Sequence, residues 1–331
     1  MVNPLSRISS FVILTLCVAT ISSLELQPKP RNTAPAVLFD PKYGTHKFAT
    51  INGIRLHYVE AGDRTKPLMV FVHGFPDFWY SWRYQIPEFS KDYWTVAIDM
   101  RGYAWSERST EEKDYVLPCL IGDLKALIKY LNRKKCVLVS HDWGTLIASA
   151  FIARNRHMVY KYILMGAPPR KVFKQLLDES TDQRNKSSYI LVFLSRGVAE
   201  SILQVNDYAF LSLFYKNEDL DVYKYVFSQP GALTAGLNYY RANFSLKKGK
   251  LDFVEIDGDN DDLDGKNGMY ILGGKDPYMS QLSLNATAKE YPKMRVTVIP
   301  NAGHFLQQEE SEITNNLIRD FLGPASEIHF K

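Results

Sequence analysis

Residues 137–145 read Val137-Leu138-Val139-Ser140-His141-Asp142-Trp143-Gly144-Thr145, and this stretch decides the architecture. An apolar, β-branched run of this kind reads as a strand covered on both faces. It passes without a spacer into small-x-Asp-x-small and then into a helical stretch. So sharp a strand-to-helix turn leaves room only for small residues around the central one, which is the pattern of a nucleophile elbow. The central position holds Asp142, where such elbows often carry Ser. Ser140 cannot take that role, because Leu138 and Asp142 would then occupy its small-residue positions. An Asp at this point also reads as the N-cap of the following helix. The elbow reading therefore depends on partners elsewhere in the chain.

Outward from the elbow, short apolar runs mark strands at Ile54–Glu60, Leu68–Val72, Thr95–Ile98, Cys136–Ser140, Tyr162–Gly166, Met269–Leu272 and Val296–Ile299. Between them, amphipathic stretches predict helices at Leu117–Leu131, Gly144–Asn155, Gln281–Tyr291 and Glu309–Phe321. Strand and helix in alternation imply an α/β class, with a mostly parallel sheet flanked by helices. The alternation fails between about Arg170 and Phe253, where the chain reads as continuous helical or irregular sequence rich in Tyr, Phe and Leu. An insertion over the carboxyl ends of the strands, where open α/β sheets place their ligands, accounts for this. The division that follows is a targeting segment at 1–24, a linker at 25–45, a core in two parts at 46–168 and 256–331, and a helical cap at 169–255.

Asp at the elbow sets the reaction class. A carboxylate is already ionised near neutral pH, so it attacks without a general base and forms a covalent ester. Water must then hydrolyse that ester, which calls for a His–acid pair. Gly273-Gly274-Lys275-Asp276-Pro277 places an acid just beyond one strand, and Asn301-Ala302-Gly303-His304 places a His just after the last. Nucleophile, acid, His is the chain order of α/β-hydrolases. His73-Gly74-Phe75-Pro76 follows the strand Leu68–Val72, in the loop that supplies one oxyanion-hole N–H, here that of Phe75; the residue after the nucleophile, Trp143, supplies the other. His73 itself reads as structural, orienting the loop.

Together with Asp77-Phe78-Trp79-Tyr80-Ser81-Trp82-Arg83, Asp99-Met100-Arg101-Gly102-Tyr103 and His141-Asp142-Trp143-Gly144, the His73–Pro76 segment resembles the α/β-hydrolase-fold epoxide hydrolases, closest to the signal-anchored type 3 and type 4 enzymes of animals. The resemblance covers about residues 46–322. It implies a small-molecule epoxide and water as reactants, opening to a vicinal diol through an ester on Asp142, with His304 as general base oriented by Asp276. It also implies that two cap tyrosines bind and protonate the epoxide oxygen. Tyr189, followed by Phe193 and Gly197-Val198-Ala199-Glu200, fits the first; Tyr240, within Leu237-Asn238-Tyr239-Tyr240-Arg241, fits the second. Seven tyrosines lie between Arg170 and Ser245, and only the resemblance singles out these two. The apolar cap suggests lipid epoxides, such as those of unsaturated fatty acids. Neither cofactor nor metal is expected. Thr145 replaces a Gly common after the elbow, Ser140 stands where Gly is usual, and Ala104 replaces the second Gly of the usual Arg-Gly-Tyr-Gly. Haloalkane dehalogenation is the alternative nearest in chemistry, disfavoured by Phe75 at the position of a polar halide-binding residue. A catalytically inactive hydrolase scaffold acting as a binding protein is the alternative of a different class.

The rest of the sequence bounds the partners and compartment. In 331 residues, 40 Lys and Arg face 36 Asp and Glu, a net charge of +4 too small and scattered for a nucleic-acid partner. Arg7, the apolar run Ile8–Ile21 and then Ser22 and Ser23 have the layout of a secretory signal, and extension to Leu24 makes a marginal signal-anchor. The resemblance favours the anchor, hence the endoplasmic reticulum membrane with association through the N-terminal segment; a soluble luminal or secreted protein is the alternative. Cys119 and Cys136 are separated by a helix that carries the chain away from its start, so free thiols are expected. Asn185, Asn243 and Asn285 stand in glycosylation acceptor triplets. Asp257, Asp259, Asp261, Asp262 and Asp264 lack the Gly and final acid of a calcium loop, and read as a solvated segment.

Overall fold

The computed structural model describes residues 25–255 and 262–327; the targeting segment and Asp257, Asp259 and Asp261 lie outside them. Eight strands form the main sheet: β1 (Thr45–Ile51), β2 (Ile54–Ala61), β3 (Leu68–Val72), β4 (Trp94–Ile98), β5 (Cys136–His141), β6 (Val159–Met165), β9 (Gly268–Gly273) and β10 (Arg295–Ile299). Their order is β1-β2-β4-β3-β5-β6-β9-β10. β1–β2 and β2–β4 pair antiparallel and every other neighbour pairs parallel. β3, β4, β5 and β9 are buried throughout, which is why their sequences show apolar runs without alternation. The first two strands close through Asn52-Gly53, both at positive φ as a two-residue hairpin turn requires.

Helices α1 (Gln85–Phe89), α2 (Leu117–Tyr130) and α3 (Trp143–Arg154) belong to the first core half, and α10 (Leu282–Glu290), α11 (Leu306–Glu309) and α12 (Ser311–Leu322) to the second. The expected helix Glu309–Phe321 is two helices, broken at Glu310 where the backbone leaves helical geometry (φ −130°, ψ 53°). Ten of the twelve residues of α3 are buried, so this helix is covered on every side.

Among the described residues, six α-helices lie between β6 and β9: α4 (Arg170–Glu179), α5 (Thr181–Lys186), α6 (Tyr189–Phe193), α7 (Val198–Tyr208), α8 (Asn217–Ser228) and α9 (Ala232–Asn243). The expectation of helical or irregular sequence up to Phe253 needs a correction. β7 (Phe244–Lys247) and β8 (Lys250–Phe253) form an antiparallel hairpin, turned by Lys248 and Gly249 at positive φ and joined by Phe244 and Phe253 with rings 4.4 Å apart. Four-residue arms are too short to display an alternation. Within the linker, Ala36–Phe39 and Pro41–Tyr43 are short 3-10 helices.

Cys119 is half-buried and Cys136 buried, both as free thiols, and burial pushes the Cys136 thiol up to about 12. Asn243 is buried and holds Leu117 N–H, Tyr115 C=O and Tyr239 C=O, whereas Asn285 is exposed on α10. Asp262 pairs with Lys171 and Asp264 with Arg156, and no cluster of three metal-ligating side chains occurs among the described residues.

Candidate active site

Asp142 sits at the end of β5 with φ 54° and ψ −120°, a left-handed conformation that costs a residue with a Cβ about 1–2 kcal/mol. Its side chain makes no capping bond to α3, so the N-cap reading does not hold. Instead Oδ1 accepts the Phe75 N–H at 2.8 Å, and Oδ2 lies 3.4 Å from His304 Nε2. The turn is possible because of two glycines. A Cβ on Gly144 would strike the carbonyl oxygens of Val72 and His73, and one on Gly74 would strike the Asp142 carboxylate and approach Trp143 N. Thus Gly74 brings the loop after β3 against the elbow, and the N–H groups of Phe75 and Trp143 border the same carboxylate. His73 fixes this loop by donating from Nδ1 to Gly74 O at 2.8 Å and accepting the Met100 N–H at Nε2. Ser140 and Thr145, where glycines are usual, accommodate each other: their hydroxyls lie 3.3 Å apart and donate to Ile163 O and Met165 O of β6.

His304 follows β10 and Asp276 follows β9, on the two strands that close this edge of the sheet. His304 Nδ1 donates to Asp276 Oδ2 at 2.8 Å, while Asp276 Oδ1 accepts the N–H groups of Tyr278 and Met279 at 2.8 and 3.0 Å. The imidazole is thereby oriented with Nε2 toward Asp142. His141 Nε2 donates to His304 O at 2.9 Å and holds the loop from behind. Burial alone would lower the pKa of His304, but the Asp276 and Asp142 carboxylates outweigh it and raise it to about 10. Burial would raise that of Asp142, but the hydrogen bond and charge of His304, with His141 and the Phe75 N–H, hold it below the ordinary carboxylate range. In the resting protein the two groups are therefore an ion pair.

Tyr189 opens α6 and Tyr240 lies on α9, with rings 6.2 Å apart at 77°. Burial, and then the charge of Asp142 among their neighbours, pushes both phenols well above 10, so both remain protonated. The helices that carry them are tied together by Arg241 of α9, which donates from Nε to Phe193 O of α6 at 3.0 Å and pairs with Glu200 of α7 at 2.7 Å. Trp143 packs edge-on against Tyr240 at 5.1 Å. Asp142, His304, Tyr189 and Tyr240 all line one cavity, whose walls are completed by Phe75, Phe193, Leu203, Phe210, Leu213, Phe214, Tyr278 and Phe305. Tyr278 and Phe305 escaped the sequence reading, although each stands within two residues of Asp276 or His304.

A second buried cluster joins cap to core. The hydroxyls of Tyr215 and Tyr223, stacked at 3.5 Å, both donate to Asp77 Oδ1 at 2.9 and 2.7 Å, and Gln307 donates to Oδ2. Arg83 reaches Asp219 at the start of α8 at 2.7 Å.

With this geometry in view, comparison with known proteins is informative. The family described as "alpha/beta hydrolase fold" matches residues 67–311. Epoxide hydrolase 4 of Homo sapiens is 37% identical over 310 residues, 88% of this chain and 83% of that protein. Epoxide hydrolase 3 of Xenopus tropicalis is 35% identical, with 91% and 84% covered. Among solved structures, Bacillus megaterium epoxide hydrolase in complex with an inhibitor superposes with a TM-score of 0.74 at 28% identity, covering 83% of this chain and 99% of that one. On fold, chain-wide identity and structural likeness, the chain belongs to the α/β-hydrolase family and, within it, to the epoxide hydrolases.

Proposed function

We propose that the protein opens lipophilic epoxides to vicinal diols through an ester on Asp142. The observation that carries this reading is one cavity holding an ionised carboxylate, a His–Asp pair and two protonated phenols. Tyr189 and Tyr240 hold the epoxide oxygen, and Asp142 Oδ2, the oxygen left outside the Phe75 hydrogen bond, attacks one ring carbon. The C–O bond breaks toward the phenols, one of which gives its proton to the alkoxide. Esterification removes the charge of Asp142, one of the two carboxylates that hold His304 protonated. The pKa of His304 then falls, its proton returns through solvent to the phenolate left by ring opening, and the ring becomes the general base for water. Water attacks the Asp142 carboxyl carbon, negative charge collects on Oδ1, and the N–H groups of Phe75 and Trp143 stabilise it. Collapse releases the diol and regenerates the carboxylate.

The substrate class follows from the walls. Phe193, Leu203, Phe210, Leu213, Phe214 and Phe305 surround the reactive groups, and no lining residue besides Asp142 and His304 carries a charge. This favours an epoxide on a hydrocarbon chain, with fatty-acid epoxides the leading case. We place the protein at the endoplasmic reticulum membrane on the composition of residues 1–24. Carbonate extraction that releases the protein from membranes would rule out the anchor.

A single turnover in isotopically heavy water tests the mechanism: label enters Asp142 if the ester forms there, and its absence excludes the ester. Tyr189→Phe and Tyr240→Phe should each slow ring opening about tenfold or more, and together about a thousandfold, because general acid assistance is worth 10²–10⁴. Turnover of alkyl halides with no epoxide turned over would reverse the assignment.

A further inference from the structure

We infer that the outer face of the cap around α7 rests on a lipid bilayer, so that the cavity opens toward the membrane. Three observations meet there. The first is where the described chain begins. Glu25 is the first residue after the apolar segment of the sequence, and it is pinned to the end of α7: Asn206 N–H donates to Glu25 O at 2.8 Å, and the Glu25 N–H donates to Asn206 Oδ1 at 3.2 Å. The following residues hold the same point. Lys29 N–H donates to Asp207 at 3.0 Å, Arg31 grips both Asp207 oxygens at 2.7 and 2.6 Å, and Lys224 pairs with the same carboxylate at 3.0 Å. The cap thus holds the residue that directly follows the apolar run Ile8–Leu24, and a run of that composition partitions into lipid.

The second observation is the position of the cavity. Leu203, three residues before Asn206, lines it from the inner side of α7, and one further turn of chain beyond the pinned point brings Phe210 and Leu213 to the same walls. Leu213 is also 47% exposed, so it marks where the cavity reaches the surface.

The third is what lies outside. Val198 and Ile202 stand at i and i+4 and so share one side of α7, and neither is buried. Val198 is 55% exposed and Leu26, next to the pinned Glu25, is 65% exposed. Exposed Lys29 and Lys216 stand three residues beyond Leu26 and Leu213, as cations do at the rim of an interfacial apolar surface. No single helix among the described residues is long and apolar enough to cross a membrane; the one pair that reaches that length and composition together, Thr181–Phe193 and Val198–Leu213, is bent by 93° and carries this face. The bilayer then serves as solvent and reservoir for the substrate; only that last consequence rests on the epoxide reading.

The test uses the full chain in phosphatidylcholine vesicles, with Cys17 and Cys119 replaced by Ser and a fluorophore placed by Leu26→Cys, Val198→Cys or, as a control on α12, Glu312→Cys. Brominated phosphatidylcholine should dim the first two labels at least about twofold and leave the third unchanged, because an interfacial apolar face sits within the headgroup boundary. Failure to dim labels 26 and 198, equal dimming at 312, or shielding of 26 and 198 by a second copy without lipid would each overturn the proposal. Leu26→Glu with Val198→Glu should slow turnover of a vesicle-dissolved epoxide about tenfold while leaving a water-soluble epoxide unaffected. If neither epoxide is turned over by the unaltered protein, the epoxide reading fails while the quenching result still decides the face.

Discussion

Two buried, hydrogen-bonded His–Asp pairs stand among the described residues, and they differ in everything except the pair itself. His304 donates to Asp276 at 2.8 Å, and His57 lies against Asp99 at 2.7 Å. In the first, the far nitrogen points at Asp142 across 3.4 Å, with the cavity beside it. In the second, the far nitrogen meets His46 Nδ1 at 2.9 Å, and His46 Nε2 meets the Leu38 carbonyl at 2.9 Å. The Trp79 N–H takes the other Asp99 oxygen at 2.8 Å, so protein groups fill every position around that pair. The chain of contacts runs from the linker through β1 and β2 to the loop after β4 and clamps the edge of the sheet. On the proposed mechanism, a His–Asp pair is reactive where one ring nitrogen is left facing a cavity and a second anion.

Removing one imidazole separates the two pairs most strongly. His304→Gln should abolish steady-state turnover while ring opening continues, so the intact protein should gain the mass of the epoxide. General base assistance is worth 10²–10⁴, and a turnover loss below about tenfold would contradict the assigned role. Asp276→Asn comes next. It leaves the ring in place but misorients it, and the hydrolysis step of the folded protein should slow about 10²–10⁴-fold. Asp99→Asn should do the reverse: a buried partnership broken on one side costs about 3–5 kcal/mol, read by chemical denaturation, while the rate constants of the folded fraction stay near wild type. If Asp99→Asn slowed hydrolysis as much as Asp276→Asn, the division between reactive pair and clamp would collapse.

The pH dependence separates the pairs further. The pKa of His304 in the folded protein is raised from 6.5 to about 10, so its ion pair contributes stability that is complete below 6.5 and is lost as pH rises through about 10. His304→Gln should remove that alkaline loss. Ester hydrolysis should show its base limb below 10, since alkylation cancels the charge of Asp142, whereas ring opening should stay flat through neutrality. Rapid-mixing kinetics at several pH values, resolving the two steps, measure both limbs.

Legibility from sequence follows the same line between backbone and side chain. Asp142, Asp276 and His304 stand at strand ends, where the turn imposes small residues and leaves a pattern. The parallel sheet was legible because β3, β4 and β5 are buried on both faces. Among the cap tyrosines nothing local distinguishes Tyr189 and Tyr240, at the cavity, from Tyr215 and Tyr223, stacked on Asp77. All four sit in helical or irregular sequence, and tertiary packing alone separates them, so family resemblance had to choose. The hairpin β7–β8 and the docking of the linker on Asp207 were likewise invisible: one rests on a Lys-Gly turn, the other on contacts nearly two hundred residues apart in the chain.

The smallest effect concerns a second strained residue. Asp142 and Ala104 both adopt left-handed conformations, with φ 54° and 42°. At Asp142 the strain accompanies a carboxylate that the turn presents to the cavity. Ala104 has no polar side chain to present, and its strain is the consequence of alanine at a position where glycine is free. Left-handed backbone costs a residue with a Cβ about 1–2 kcal/mol, against about 0.4–1 kcal/mol of extra chain entropy that glycine loses on folding. Ala104→Gly should therefore stabilise the fold by up to about 1 kcal/mol, measured by denaturant midpoint, and leave turnover unaltered. Asp142→Gly should relieve the same strain while removing turnover. The two substitutions together would show that the strain at the elbow is retained for its carboxylate and the strain at Ala104 for nothing comparable.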